Sequence, residues 1–421
     1  MSIAGRLGGR IYYGWVIVAT LALTETVSWG ILYYAFSVFL VPMREGLGWS
    51  EAALTGAYSL GLLVSGIAAP FVGRWIDRRG PRALMTAGSL LGVALVLAWS
   101  QVGNLLAWYL IWVGIGLAMS ATLYDPAFTA VNAWFERDRS KAFLLVTIAA
   151  GFASTIFLPL AAWLVSDQGW RAALIALAGI LFLLTVVPHA IFLRRRPEDL
   201  GLLPDGETVR DQPGNVSAPS LPSGAELREA LRDPAFWWLA AGFALETISE
   251  VAVGVYLIAY LTDRGDGARF AAFATGLIGA AQVAARILAT MLGHRVSPVT
   301  LTGAVFALQA VALAILLEWQ VSAGVLVAVL LLGMGRGVVT LMRAGLVADF
   351  YGRRNFGAIN GSLALILNGA RALAPIGAGI AFGLLGGYRP VFWGLAAISL
   401  LGALMMVGVS RTDRARGIPA G

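Results

Sequence analysis

Six ionisable side chains lie deep within otherwise apolar stretches of this 421-residue chain: Glu25, Glu246, Glu250, Arg286, Arg336 and Arg371. In hydrocarbon an Arg, Lys or Asp at a helix centre costs roughly 2.5–3.5 kcal/mol on insertion scales, so a polar cavity must offset them. Glu250 follows Glu246 by four positions, which puts both carboxylates on one helix face. Two close carboxylates in low dielectric repel, and a shared proton relieves them, so this pair could carry a coupling proton. Glu25, the isolated acid of the first half, is the third candidate for that role. The structural alternative is a satisfied network of these acids with Arg286, Arg336 or Arg371. The second half holds more buried arginine than acid, which calls for an anionic solute as the balancing charge. Tyr33, Tyr34 and Tyr124 could offer hydroxyl donors to a small anion, although packing is the commoner fate of any single tyrosine. Arg336 and Arg343 are seven apart and share a face; the deeper Arg336 could line the cavity. Arg343 lies near its span end, where Asp125 holds the pseudo-equivalent place in the first half. A gate pair is one reading of these two, and independent snorkelling the other.

Long apolar elements must hold these charges. Hydrophobic residues make up 59% of the chain and charged ones 13%, against about 45–50% and about 25% in soluble domains. Mean hydropathy is +0.79. Continuous apolar runs, rather than short alternating ones, imply an all-α membrane protein and exclude a barrel. The pattern predicts twelve transmembrane helices near 13–41, 52–74, 83–101, 105–128, 142–165, 171–193, 235–261, 270–293, 298–317, 322–347, 356–384 and 389–410. Tyr13-Gly14-Trp15 leads straight into the first of them, with no small-residue cleavage site. There is no cysteine, and the only imidazoles, His189 and His294, fall near span ends. No metal, cofactor or enzymatic nucleophile is therefore expected.

The net charge of +7 follows the alternate loops rather than marking a nucleic-acid partner. Arg6 and Arg10, the group Arg74 to Arg82, Arg137 to Lys141, Arg194 to Arg196, Arg295, Arg353 with Arg354, and Arg411 to Arg416 all share one side. By the positive-inside rule both termini are cytoplasmic. Residues 194–234 break the apolar pattern with Pro197, Pro204, Pro213, Pro219 and Pro222, and divide the chain into an N-terminal six-helix bundle (1–193), a cytoplasmic linker and a C-terminal six-helix bundle (235–421). Within the linker, Ala225 to Arg232 could form a short surface helix. Gly169-Trp170-Arg171 recurs as Gly387-Tyr388-Arg389 and Thr122-Leu123 as Thr340-Leu341, both 218 positions on; Gly114-Ile115-Gly116 recurs as Gly333-Met334-Gly335 at 219. Three matches at nearly one spacing indicate a duplicated bundle with two pseudo-symmetric halves.

The loop after the second span reads Gly73, Arg74, Trp75, Ile76, Asp77, Arg78, Arg79, Gly80, Pro81, Arg82. It resembles the loop 2–3 signature of the major facilitator superfamily, with Pro81 a departure. Gly73 permits close helix contact, Asp77 can pair with the arginines Arg78 and Arg82, and Gly80 allows the tight turn. Such pairing would latch one state of a two-state carrier; the plain alternative is a solvated basic loop. The corresponding loop of the second half, Gly293-His294-Arg295-Val296, lacks the acid.

Further stretches resemble the monocarboxylate transporter and oxalate–formate antiporter branch: Tyr13-Gly14-Trp15, Leu47-Gly48-Trp49-Ser50, Trp134-Phe135 before Arg137-Asp138-Arg139, Arg196-Pro197-Glu198-Asp199-Leu200-Gly201, Tyr351-Gly352-Arg353-Arg354-Asn355-Phe356-Gly357 and Ala370-Arg371-Ala372-Leu373-Ala374-Pro375. The resemblance implies that Arg286, four residues after Gln282, binds a substrate carboxylate, since a guanidinium fork suits bidentate contact. Gln282 replaces the acid of that branch and cannot titrate. The resemblance also implies a basic residue of the eleventh span in the same site, which Arg371 matches by region. Its alternative is packing within its alanine-rich run.

The expected function is a secondary transporter of a small organic anion, a monocarboxylate in first place, with proton coupling if the process is symport. It would be a monomer in the lipid bilayer of a bacterial inner membrane. The competing expectation is a proton-coupled exporter of cationic or amphipathic compounds. The glycine-rich signature of drug exporters is missing from the fifth span, where Gly151 to Pro159 reads Gly-Phe-Ala-Ser-Thr-Ile-Phe-Leu-Pro. A membrane sensor would append a soluble domain, for which this linker leaves no room.

Overall fold

Lipid offers the backbone no hydrogen-bond partner, so an apolar run that enters it must satisfy its amides internally as a helix. The computed structural model of the chain describes residues 12–206, 224–266, 268–292 and 296–415. Among these, ten helical runs are long and apolar enough to cross a membrane. Two places separate ten from the expected twelve. Arg139–Phe192 is one unbroken run of 54 residues by length, yet Gly169 breaks it with φ 77° and ψ 162°. The helix Ala268–Leu292 keeps only a shorter apolar stretch, Phe273–Leu288. The termini at Arg6, Arg10 and Arg416, the linker prolines at 213, 219 and 222, and the loop residues Gly293, His294 and Arg295 lie outside the described residues.

Local chemistry sets the helix ends. Ser50 caps Glu51–Arg79 by accepting from the Ala53 amide at 3.2 Å, and Asn104 caps Leu105–Thr122 by accepting from Ala107 at 2.8 Å. Gly80, at φ 81°, ends the first of these helices and lets Pro81 open Pro81–Ser100 at once. Inside the linker, Leu227–Arg232 is helical, and Pro234 starts the long helix Pro234–Asp263. The first span is not one α-helix. Tyr13–Ser28 passes into a π-helical segment, Trp29–Tyr34, before α-helix resumes at Phe36–Leu47. A second π-segment, Phe182–Val186, lies in the sixth span.

The chain divides into two compact units. The first comprises residues up to Glu226 together with Tyr351–Leu365; the second comprises Leu227–Phe350 together with Ile366 onward. The first unit has an aromatic core. Trp99, Trp108 and Trp112 are fully buried with ring centroids 5.4–5.6 Å apart, and the Trp99 indole N–H meets Met43 Sδ at 3.0 Å. One core cluster of the second unit is mainly aliphatic, built from Leu313, Leu316, Val325, Val329 and their neighbours around Phe392. Its helices approach closely at glycines: a Cβ on Gly333 would sit 2.5 Å from the Ile278 carbonyl oxygen, and one on Gly337 would collide with that of Gln282.

Candidate functional site

In the first unit the deep acid is Glu25, wholly buried on Tyr13–Ser28. Its Oε2 accepts from the Trp29 indole N–H at 3.0 Å, while Oε1 has no hydrogen-bond partner among the described residues. The π-segment that begins at Trp29 gathers three of the tyrosines singled out in the sequence. Trp29 lies 5.0 Å from Tyr33, 6.2 Å from Tyr34 and 5.0 Å from Tyr124 between ring centroids. A π-segment inserts a residue into the helical register and commonly marks a functional position. Trp29 was not among the sequence candidates, although its four-residue spacing from Glu25 was legible.

In the second unit, Arg336 donates from Nε to Glu250 Oε1 at 3.1 Å and from Nη2 to the Glu250 carbonyl. Glu246 is 1% exposed one turn earlier, and its Oε2 has no hydrogen-bond partner. A small hollow with an empty volume of about 240 Å³ joins Glu246, Ser249, Glu250, Gln309 and Arg336. Behind it the Ser399 hydroxyl donates to Ser249 at 3.0 Å. No sequence pattern marks Gln309 or Ser399, which lie on other helices. Arg286 is buried and Gln282 half-buried on Ala268–Leu292. Arg371 is exposed at mid-length of Phe356–Leu385 and donates to Asn368 Oδ1 at 2.6 Å; among the described residues no carboxylate pairs with it.

The signature loop does something other than pair acid with arginine. Asp77 Oδ1 accepts from the Gly357 amide and Oδ2 from the Ala358 amide, both at 2.9 Å. It thus caps the N-terminus of Phe356–Leu385, where orphan amides and the helix dipole favour an anion. Gly73 is what allows this: a Cβ there would collide with the Gly357 carbonyl. With the backbones that close, amides rather than guanidinium groups are the nearest donors, and Arg78 and Arg82 stay exposed.

A second contact has the opposite polarity. Arg353 donates to the carbonyls of Asn132, at 3.1 Å, and Ala133, at the C-terminal end of Tyr124–Trp134, and to Glu136 at 3.0 Å. A cation at a helix C-terminus complements the dipole as Asp77 does at an N-terminus. Asp125, in the first turn of Tyr124–Trp134, accepts from Asn360 Nδ2 at 3.0 Å. Arg343, its expected gate partner, belongs to the second unit and is half-buried on Ser322–Tyr351. Neither Arg353 nor Asn360 stood out in the sequence as a contact residue.

A family model described as Major Facilitator Superfamily matches residues 19–375. "Monocarboxylate transporter 13" of Bos taurus is 28% identical over 71% of this chain and 68% of its own length. The "Oxalate:formate antiporter" of Oxalobacter formigenes is 27% identical over 57% of this chain and 52% of its own. Among solved structures, the Escherichia coli fucose:proton symporter superposes with a TM-score of 0.68 at 16% identity, covering 96% of this chain and 99% of that one. At that identity the likeness concerns the fold alone.

Proposed function

The chain belongs to the major facilitator superfamily, an integral membrane protein with no enzymatic role, and from that premise we propose that it carries small organic anions, monocarboxylates first among them, by alternating access. The observation that carries this reading is Arg371. A guanidinium at mid-length of an apolar helix, exposed and without a carboxylate partner among the described residues, is untenable against lipid. It is tenable facing water, where it is free to grip an anion. Arg286 would supply the second fork, and Gln282, Arg336, Tyr33, Tyr34 and Tyr124 are the further side chains we assign to solute binding. Two relatives whose names specify monocarboxylates and oxalate or formate support the same solute class.

Proton coupling would rest on Glu25, Glu246 and Glu250. Because Glu250 holds Arg336, Glu246 is the acid of the pair left to take a proton. Asp77 and Arg353 would serve the cytoplasmic gate, as would Gly73, Gly80, Arg78, Arg82, Asp125 and Arg343. The arginine distribution supports cytoplasmic termini in a bacterial inner membrane, with bundles at 1–193 and 235–421 joined by the 194–234 linker.

A thermal-shift panel of carboxylates on purified protein identifies a ligand; uptake of that ligand is then followed in proteoliposomes. Arg371→Gln and Arg286→Gln should each reduce uptake about a hundredfold, as loss of a charge that pairs with a bound carboxylate does. Normal uptake by both variants overturns the assignment.

A second reading has its own observation. Glu25 accepts from the Trp29 indole, whose ring packs against Tyr33, Tyr34 and Tyr124, and an acid next to an aromatic cluster suits a cation. If the protein exports cationic compounds, expression should confer resistance on a susceptible host, and Glu25→Gln should abolish it.

A further inference from the structure

A hollow with an empty volume of about 420 Å³ opens beside the Asp77 cap, in the first unit. Arg195, Arg196, Arg353 and Arg354 line it, together with Asp77 and Thr129. Most of the neighbouring carboxylate oxygens are already committed, Glu198 Oε2 excepted. Asp77 gives both oxygens to backbone amides. Glu136 answers Arg353 at 3.0 Å, with Glu198 at 3.9 Å, and Glu226 answers Arg354 at 3.4 Å. Arg195 and Arg196 remain. Among the described residues neither has a carboxylate within ion-pair reach. Arg195 Nε is buried without a hydrogen-bond partner, and Arg196 makes one long bond, 3.4 Å, to the Asp77 carbonyl.

Adjacent guanidinium groups in one hollow repel. Burial lowers the Arg196 pKa from the usual arginine range, and the charges of Arg195 and Arg353 lower it further against the opposing pull of Glu198 and Asp199. Arginine does not shed its proton in a protein, so a bound anion would relieve the excess charge. A phosphate group presents several acceptor oxygens to two forks, the geometry in which charge-assisted bonds are strongest. The pair also lies within four residues of the end of the helix Val187–Phe192, close to where a lipid headgroup would sit.

We propose that Arg195 and Arg196, in the hollow they share with Arg353 and Arg354, bind a phosphate-class oxyanion, borne by an anionic lipid headgroup or free in solution. Because Asp77 and Arg353 line the same hollow as Arg195 and Arg196, its occupancy reinforces the contacts those two residues make. The site is separate from the proposed transport site and stands whatever solute is carried.

The test measures the melting temperature of the full-length protein in two arms. In detergent, inorganic phosphate is titrated at constant ionic strength. In vesicles, phosphatidylcholine is compared with and without phosphatidylglycerol. A rise in the first arm identifies a free anion, and a rise in the second alone identifies a lipid headgroup. In either case Arg195→Gln/Arg196→Gln should weaken the response about tenfold or more, since each lost charged contact is worth about that factor. Arg228→Gln, exposed and outside the hollow, should leave it unchanged. If the double variant does not purify, Arg195→Gln alone and the charge-keeping Arg195→Lys give the same comparison, with Lys intermediate. No rise in either arm, or an equal rise in parent and variants, overturns the proposal.

Discussion

The two halves descend from one pattern, as the recurrence of Gly169-Trp170-Arg171 at Gly387-Tyr388-Arg389 records, yet they have been filled with opposite chemistry. The first unit buries one acid, Glu25, against Trp29 of an aromatic cluster and rests on tryptophans packed at tilted and edge-on angles. The second unit carries arginine along its apolar helices, with Arg286 buried, Arg336 half-buried and Arg371 exposed, against Glu246 and Glu250. The backbone plan of a duplicated bundle evidently constrains helix packing far more than it constrains which charge is held at mid-depth. Aromatic packing tolerates a single acid that has one indole donor. A cluster of guanidinium groups needs acids, carbonyls or a solute to hold it.

Breaking the second unit's charge pair should have the largest effect. Arg336→Met leaves Glu246 and Glu250 without their cation and should cost about 2–4 kcal/mol, a figure kept below that of fully buried pairs because both partners are partly exposed. Adding Glu250→Gln should restore much of the lost melting temperature. If the single substitution leaves that temperature unmoved, the pair is not what holds the second unit's charge. Next in size is the close approach at Gly73. Gly73→Leu should cost about 1–3 kcal/mol through a backbone collision, read as faster amide exchange at Gly357 and Ala358. In the first unit, Trp29→Phe removes the donor to Glu25 Oε2 and should cost about 1–2 kcal/mol in thermal unfolding. A neutral result there would show the acid to be satisfied by water instead. The smallest change is Asp77→Asn, which keeps the size of the side chain but drops its charge and leaves one oxygen for two amides, for about 1 kcal/mol and less at high salt.

Much of this arrangement was legible in the sequence because it is local. Runs of about 20 apolar residues mark the spans, Gly73 to Arg82 marks the loop, and a four-residue spacing puts Glu246 beside Glu250. What was not legible depends on partners far along the chain. Asp77 meets amides 280 and 281 positions away, so its role as a helix cap, and not as a partner for Arg78 or Arg82, appears only when the backbones are in place. Arg353 reaches carbonyls about 220 residues back, and no side-chain pattern announces a bond to backbone. The π-segment at Trp29–Tyr34 carries no composition of its own, yet it decides which way Tyr33 and Tyr34 face. Gln309 and Ser399 read as isolated polar residues until three helices bring them near Glu246 and Ser249.

Trp99, Trp108 and Trp112 lie close enough for their excited states to couple, whereas Trp237, Trp238, Trp319 and Trp393 of the second unit are each at least 39% exposed. The near-ultraviolet dichroism of the intact molecule should therefore be dominated by one half. That gives an optical signal for loosening of the first bundle, to which the second contributes little, without any label being introduced.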